Sequence, residues 1–425
     1  MAGQSTDNRP LRTRVPRIRF SAVEAEAKPP SPITTYYLIL VPAILLALFG
    51  LMMGFSALAV TNIASGVNPY DAFLRTLAIA VLALVTAVVA AILSPKFWEK
   101  WAPNLFLVAL VLQLLLLPFG VGEGGNTNWL PIPGTGGQMI QPSEFLKLAT
   151  CLMLGRTLSQ KTVNFANWKH LALAALTPAF LAMAAVMVGA DMGTMLVFVG
   201  LTFGAMWVAG VNWRWFAGLG IAGGAMAILL VAINPSRTRR VLEFLPGMRP
   251  EPSTTAPTQT DHALWALGSG GLTGLGPGAS REKWNYLQAA HTDFILAIVG
   301  EEFGLIGTLT VLILLGLLVY GVLRQAAYAA DPFVRIASGG IASWFLVQGL
   351  INVGMVSGLT PVIGVPFPLV SYGGSSFLFT AMAIGVLLSF ARSEAGMRGR
   401  GSLSPDTAGR DPRRNPPPRR PLRRK

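Results

Sequence analysis

Apolar runs of about 20 residues recur along this chain, and they constrain its fold more than any other feature. A helix needs about 20 mostly apolar residues to cross the hydrocarbon core of a bilayer. Of the 425 residues, 52% are hydrophobic and only 12% are charged, whereas a soluble domain has about 25% charged residues. The sequence therefore predicts an all-α polytopic membrane protein with little soluble mass.

Ten transmembrane helices account for the apolar runs, and an even number returns both ends of the chain to the same side of the membrane. We place them near 35–58, 72–93, 103–118, 143–159, 170–188, 191–210, 215–233, 303–324, 333–356 and 368–391. The third and fourth are short for membrane spans. The tight gap at 189–190 is also compatible with a kink inside one helix.

Basic residues in the short loops predict the orientation. The loops at 59–71 and 357–367 hold no Lys or Arg, whereas those on the other side hold Lys96, Lys100, Arg156, Lys161, Lys169, Arg214 and Arg324. Lys and Arg are enriched in short cytoplasmic loops, so we expect the basic loops and both termini in the cytoplasm. The segment 119–141 and the large loop 234–302, between the seventh and eighth helices, are then extracytoplasmic.

Both ends of the chain are polar and basic. Residues 1–34 have a net charge of +3 and residues 392–425 have +8, out of +14 for the whole chain. Such compositions are typical of disorder. We therefore predict a disordered cytoplasmic arm at 1–34, a membrane domain at 35–392 and a disordered Arg/Pro-rich tail at 393–425. The tails favour contacts with anionic membrane lipids, and we expect no nucleic acid partner.

Ionisable groups crowd the segment from Arg281 to Gly307, at the edge of the membrane. Asp293 is followed by only seven apolar or small residues before Glu301 and Glu302, too few to cross a bilayer. Carboxylates beside membrane segments are costly unless they face water, a partner or a substrate. Asp293 is a candidate general base that would deprotonate a hydroxyl, with helix capping as the alternative. For Glu301 and Glu302 we expect capping or a structural contact.

A second candidate region lies at 119–147, where seven glycines and three prolines indicate turns. Trp129 lies where an indole suits a membrane interface. Pro142 fits the first turn of a helix and Glu144 its electropositive end, while Lys147, three residues further, shares a face with Glu144. Two interpretations stay open: a buried structural ion pair, or a polar pair that lines an outward-facing cavity.

The glycine-rich segment 266–280 lacks the Gly-Lys-Ser/Thr ending of a nucleotide-binding loop. It is compatible with a backbone-lined groove near a lipid headgroup or with a flexible loop. Arg281 and Lys283 follow directly and are candidates for pairing with a phosphate. The last outer segment, 359–376, has three prolines and then small residues, which predict a kinked start to the tenth helix. We predict no metal-ligand cluster, because the histidines and the one cysteine are far apart in sequence.

Several separated motifs resemble, in order, those of the SEDS family (shape, elongation, division and sporulation). They are NWLPI with IQPSEFLKLA, ADMGT, ALGSGGLTGLG, EKWNYL with AHTDFILAIVGEEFGLIG, and PVIGVPFPLVSYGGSS. The resemblance covers residues 35–392 and is closer to division members than to elongation members. It implies ten helices, cytoplasmic termini and a large outer loop. It also implies a peptidoglycan glycosyltransferase that polymerises lipid II on the outer face of the bacterial cytoplasmic membrane, at the division septum.

The resemblance also assigns residues and partners. The family's essential aspartate matches Asp293, which we expect to be catalytic. We expect substrate contacts from Trp129, Glu144, Lys147, Arg281, Lys283, Tyr286 and Ser371. The implied partners are lipid II, undecaprenyl diphosphate, a class B penicillin-binding protein and other division proteins. No cofactor is firmly implied, although a divalent cation could assist the departure of the diphosphate.

The chain departs from the family pattern at three places. Asn128 stands where members often have Arg, Gln288-Ala289 stands where the usual motif has Pro-Glu, and Gly189-Ala190 stands where it has Gln-Pro. All three departures concern the surroundings of the predicted site, and none of them replaces Asp293.

Two other functions are compatible with the sequence, a lipid II flippase and a non-catalytic division scaffold recruited through the basic tails. Polar groups in membrane helices can line a transport path. A transporter would more often place ionisable groups near the midplane, with interrupted helices in repeated halves. Here the ionisable groups cluster on the predicted outer side and no internal repeat is evident, so polymerisation is the leading hypothesis.

Overall fold

A computed structural model describes residues 31–396, apart from gaps at 65, 67, 123–125, 134–137, 166, 234–237, 239–256, 285 and 288. Its helices are α1 Pro32–Ala64, α2 Pro69–Ile92, α3 Pro95–Leu114, α4 Leu116–Phe119, α5 Pro142–Leu158, α6 Trp168–Leu171, α7 Thr177–Val188, α8 Met192–Ala209, α9 Trp213–Ile233, α10 Gln259–Gly270, α11 Ile295–Tyr328, α12 Pro332–Val356 and α13 Gly374–Glu394. A π-helical turn, Ala172–Leu176, joins α6 to α7. Two short antiparallel strands, β1 Leu130–Pro131 and β2 Met139–Ile140, precede α5. Residues 1–30 of the predicted arm, residues 397–425 of the predicted tail and part of the loop 234–302 lie outside the described residues. The predicted end of the arm at 34 is wrong, because α1 already begins at Pro32.

Eight helical segments in the described part of the chain are long and apolar enough to cross a membrane. All eight overlap predicted spans, and α5 and α9 overlap the remaining two. The prediction of an all-α polytopic membrane protein is confirmed, whereas the count of ten spans stays a prediction. The gap at 189–190 separates two helices, α7 and α8, and is not a kink within one.

The predicted start of the third span is wrong, because α3 begins at Pro95 and not near 103. Ser94 caps this helix, since its side chain accepts a hydrogen bond from the Phe97 N–H at 3.1 Å. Pro95 at the first helical position is preorganised for a helix and has no N–H to leave unpaired. The cap and the proline together explain why the helix includes Lys96 and Lys100.

The predicted start of the eighth span is also wrong, because α11 begins at Ile295 and runs through Glu301 and Glu302. Its backbone departs from helical geometry only at Gly304 (φ 65°, ψ −163°). Two carboxylates do not end the helix here because both have partners inside the protein. The span is therefore longer than the apolar run that predicted it.

The glycine-rich loop 271–276 packs against this irregular point of α11. Four hydrogen bonds join the two backbones: Leu275 N to Glu301 O (2.9 Å), Gly276 N to Glu302 O (3.0 Å), Leu305 N to Gly271 O (2.9 Å) and Ile306 N to Leu272 O (3.2 Å). A Cβ at Gly304 would collide with the backbone of Leu272 and Gly274. The glycines therefore allow close contact between two backbones, and the N–H groups of Gly274, Leu275 and Gly276 are already hydrogen-bonded within the protein.

Helix α5 lies at the centre of the bundle, against α3, α8, α12 and α13. Of its 17 residues, 14 are buried, including Glu144 and Lys147. A buried charge is costly unless it is paired and hydrogen-bonded. The fold therefore requires partners for these two side chains within the protein.

Candidate active site

The site is built where the first turns of α5 and α8, the turn before α11 and the segment 357–373 meet. Asn352 of α12 fixes two of these parts, since its side-chain N–H donates to the carbonyls of Asp293 and Val365, at 2.7 Å each. A second link runs from the Tyr372 N–H to the His291 carbonyl at 3.0 Å. The backbone on both sides of Asp293 is thereby held in place.

The carboxylate of Asp293 is half-buried and faces Gly364. Its Oδ2 lies 3.4 Å from the position that a Cβ at Gly364 would take, and Gly364 has a φ of +67°. Within the described residues, no hydrogen bond or ion pair to this carboxylate is found. The N-cap of α11 is Phe294, and no side-chain capping bond is present there. The structure therefore does not support helix capping as the role of Asp293.

Other carboxylates shape the ionisation of Asp293. Its pKa is raised to about 7, mainly by burial and to a smaller extent by the negative charges of Asp191 and Glu144. Burial also raises the pKa of Asp191, against the hydrogen bonds from Thr194, which lower it. A general base works best when its pKa is close to the operating pH. A pKa of about 7 is compatible with a general base at neutral pH, and the role of Asp293 in proton transfer stays a prediction.

Asp191 joins the starts of α8 and α5. As the N-cap of α8 it accepts hydrogen bonds from the Thr194 N–H at 2.9 Å and the Thr194 hydroxyl at 2.8 Å. It also accepts one from the Gln141 amide at 3.3 Å. The sequence reasoning placed Asp191 in a family motif but did not predict it as a site residue. A carboxylate in a tight gap between two spans, three residues before a Thr, is the signal that could have found it.

Glu144 and Lys147 form a buried ion pair, with 2.7 Å between Glu144 Oε2 and Lys147 Nζ. The same ammonium donates to Gln348 Oε1 at 2.8 Å, and the indole N–H of Trp344 donates to that oxygen at 2.6 Å. The amide of Gln348 then donates to the Pro366 carbonyl at 2.8 Å. The ion pair is thus connected to the segment that Asp293 faces; its role in lining a cavity stays a prediction.

Three buried residues of α12 were missed by the sequence reasoning: Trp344, Gln348 and Asn352. They are four apart, so they lie on one face of the helix. Two side-chain amides at this spacing within an apolar span are the signal that could have indicated a buried polar network.

Lys283 lies in a separate cluster of buried polar groups, which we call the buttress cluster: Ser280, Lys283, Glu301 and Glu302. Lys283 Nζ is 2.6 Å from Glu302 Oε1 and 3.2 Å from the hydroxyl of Ser56. Glu301 accepts from the Ser280 hydroxyl at 2.5 Å and from the Arg281 N–H at 2.9 Å. The structural contacts expected for Glu301 and Glu302 are confirmed, and Lys283 is engaged in one of them.

The remaining predicted contact residues are spread around the site. The Arg281 side chain is exposed, and so is Tyr286, whose ring stacks on His262 with centroids 6.3 Å apart. Trp129 is half-buried and pairs with Val121 next to β1. The hydroxyl of Ser371 accepts from the Phe367 N–H at 2.7 Å and closes a local turn. Substrate contacts by these residues, and by Lys283, stay predictions.

No group of three or more His, Cys, Asp or Glu side chains in the described part of the chain could hold a metal ion.

Two departures from the family pattern lie at unusual backbone positions. Ala190 has a φ of 56° and Ala289 a φ of 55°. Proline is restricted to a φ near −65°, so the Gln-Pro of other members would not fit the turn at Gly189-Ala190 as it stands here. Asn128 Oδ1 lies 2.6 Å from the position of a Cβ at Gly189. The departures at Asn128 and Gly189 are therefore in contact, whereas Gln288 lies outside the described residues.

Comparisons with known proteins cover the whole membrane domain. The cell cycle protein family FTSW_RODA_SPOVE matches residues 36–396. "Stage V sporulation protein E" of Bacillus subtilis is 35% identical over 357 residues, 84% of this chain and 96% of that protein. "Probable peptidoglycan glycosyltransferase FtsW" of Burkholderia thailandensis is 36% identical over 334 residues, 76% of this chain and 70% of that protein. A chain of the structure "Structural coordination of polymerization and crosslinking by a peptidoglycan synthase complex" aligns with a TM-score of 0.65 at 25% identity, over 83% of this chain and 97% of that chain.

Proposed function

We propose that this protein is a peptidoglycan glycosyltransferase of cell division. The chain belongs to the FtsW/RodA/SpoVE family of cell cycle proteins. Its substrate is lipid II, which it polymerises into glycan strands at the outer face of the cytoplasmic membrane. Several relatives are named as peptidoglycan glycosyltransferases, which supports this activity.

One observation carries the chemical part of the proposal. Asp293 is a half-buried carboxylate without a hydrogen-bonding partner in the described chain, and its pKa is raised to about 7. A polar group held in this way costs folding free energy, and perturbed carboxylates of this kind concentrate at functional sites. Its backbone is nevertheless fixed by Asn352, as a catalytic base requires.

The proposed reaction is a proton transfer coupled to a displacement at carbon. Asp293 takes the proton of a sugar hydroxyl of one lipid-linked substrate. That oxygen forms a bond to the anomeric carbon of the other substrate, and the bond from this carbon to the diphosphate oxygen breaks. Undecaprenyl diphosphate leaves with the electron pair.

Cations near the site would stabilise the charge that develops on the leaving diphosphate. Lys147 is one candidate, because its hydrogen-bond network reaches Pro366, two residues from Gly364. The exposed guanidinium of Arg281 is a candidate for direct contact with a phosphate. Lys283 supports this region through Glu302, and Trp129 and Tyr286 are candidates for contacts with the sugars.

We also propose the partners and the location. The chain works with a class B penicillin-binding protein and other division proteins, at the septum, with both termini in the cytoplasm. One structural neighbour comes from a peptidoglycan synthase complex, which supports a second synthase component. The basic tails would contact anionic lipids of the inner leaflet.

The proposal is tested by reconstitution of the chain with lipid II and a class B penicillin-binding protein in liposomes. Asp293→Asn should lower the rate of polymerisation by about 100- to 10,000-fold, because a general base contributes about that factor. Separate readouts for polymerisation and for transfer of lipid II across the bilayer distinguish an enzyme from a flippase.

Asp331→Asn is a matched control, since Asp331 caps α12 by accepting from the Phe333 N–H at 2.9 Å and Asn caps equally well. It should polymerise at the wild-type rate. A near wild-type rate for Asp293→Asn would overturn the assignment. Transfer of lipid II without polymerisation by the wild type would overturn the proposed enzyme activity.

A further inference from the structure

A cavity of about 370 Å³ opens at the end of the bundle opposite Asp293, and it is lined by Lys96, Glu99, Lys100, Arg156 and Gln160. Helix α5 connects the two ends, because Glu144 is in its first turn and Arg156 in its last turn. The cavity is therefore separate from the site described above. It lies between the start of α3 and the end of α5.

The charges that line the cavity are mostly positive. Three cations and one carboxylate give a net charge of +2. Lys96 and Lys100 are exposed, and neither ammonium forms an ion pair or a hydrogen bond within the described residues. Glu99 balances one of the three positive charges, so the net charge of +2 in the lining is available to an external anion.

Arg156 holds the cavity in shape. Its guanidinium donates to the carbonyls of Glu99 at 2.5 Å and Lys100 at 3.2 Å, which fixes the end of α5 on the first turns of α3. Lys96 is in the first turn of α3, where the helix dipole adds to the positive potential. The three cations thus line one cavity between the start of α3 and the end of α5.

Aromatic residues of α3 place the cavity at the level of lipid headgroups. Trp101 is 43% exposed and packs against Phe97, with ring centroids 6.0 Å apart. Trp98 is buried, and its indole N–H has no hydrogen-bond partner in the described structure. Tryptophan is enriched at membrane interfaces. An anion that binds at this depth is therefore a lipid headgroup or an ion dissolved in the adjoining water.

We propose that this cavity binds a phosphate group, supplied by an anionic phospholipid headgroup or by free phosphate. A general excess of basic residues on one side of a membrane protein explains the presence of Lys96, Lys100 and Arg156. It does not explain why all three line one cavity in which Glu99 is the single carboxylate and a net charge of +2 remains. The site is independent of the proposed enzyme activity and of the basic tails.

The test measures binding of dioleoylphosphatidylglycerol to the full chain in neutral detergent, with bound lipid counted by native mass spectrometry. Lys96→Gln combined with Lys100→Gln should weaken binding by about 30-fold, since each charge near an anionic lipid contributes about a factor of five. Gln160→Glu, which adds a negative charge to the cavity, should weaken binding as well. Dioleoylphosphatidylcholine, which has no net charge, should bind weakly to every variant.

The matched control is Lys169→Gln combined with Arg214→Gln, which removes two exposed charges at the same end of the bundle but outside the cavity. The control should bind phosphatidylglycerol like the wild type. Equal losses in the control and cavity variants, or no preference for phosphatidylglycerol over phosphatidylcholine in the wild type, would overturn the proposal. Competition by excess inorganic phosphate would identify free phosphate as a ligand, and its failure to compete would identify the lipid; each result supports the cavity as the site.

Discussion

Asp293 precedes α11, whereas Glu301 and Glu302 of the buttress cluster lie within it. The carboxylates of these two regions differ in whether they have a partner in the protein. In the buttress cluster, Glu301 accepts two hydrogen bonds and Glu302 is paired with Lys283. The carboxylate of Asp293 has no such partner within the described chain. Satisfied buried charges are compatible with a structural role, whereas an unsatisfied carboxylate costs folding free energy and indicates a function. The comparison distinguishes the proposed catalytic residue, Asp293, from carboxylates that have structural partners.

The largest effect on stability is expected from Glu302→Gln. This change leaves the buried ammonium of Lys283 without a countercharge, which costs about 3–5 kcal/mol of the free energy of unfolding. Thermal unfolding in detergent should show a clear fall in the apparent Tm. Lys283→Met combined with Glu302→Gln should regain much of the loss, because no buried charge remains unpaired. If Glu302→Gln unfolded at the wild-type temperature but lost polymerisation, Glu302 would act in catalysis and not in stability, which would contradict this comparison.

A smaller effect, on pH dependence, is expected from Asp191→Asn. Asn preserves the cap of α8 but removes a negative charge that raises the pKa of Asp293. Asp293 must be deprotonated to act, so activity falls as the pH falls through its pKa. The acidic limb of the pH–rate profile should therefore move to lower pH, by only part of the total shift, because burial is the larger cause. Asp331→Asn should leave the limb in place, and an unmoved limb in Asp191→Asn would show that the two carboxylates are not coupled.

The smallest effect is expected from Arg281→Gln. Its backbone N–H, and not its side chain, supports Glu301, so the Tm should not change. An exposed charge contributes at most about 1 kcal/mol, so contact with the substrate diphosphate would raise KM by less than about fivefold. Steady-state rates at varied lipid II concentration measure this change. A large loss of kcat would instead show that Arg281 stabilises the transition state.

Sequence reasoning predicted the membrane fold, the Glu144–Lys147 pair and the structural contacts of Glu301 and Glu302, because helical spacing and apolar run length are local signals. It could not predict that Asn352 of α12 holds Asp293, since the two residues are 59 apart in sequence. It placed the start of α11 too late, because Lys283 and Ser280 satisfy the two glutamates only in the folded chain. The packing of the glycine-rich loop 271–276 against Gly304 could not be predicted either, because it depends on contact between two segments of backbone that are distant in sequence.

The pH dependence of single-turnover polymerisation is the sharpest test of Asp293 as the general base, with wild-type chain and Asp293→Asn compared from about pH 5 to about pH 9. We expect a wild-type rate that rises with pH through about 7 and a residual rate in Asp293→Asn without this rise. An identical rise in both proteins would contradict the assignment, because the titrating group would then not be Asp293.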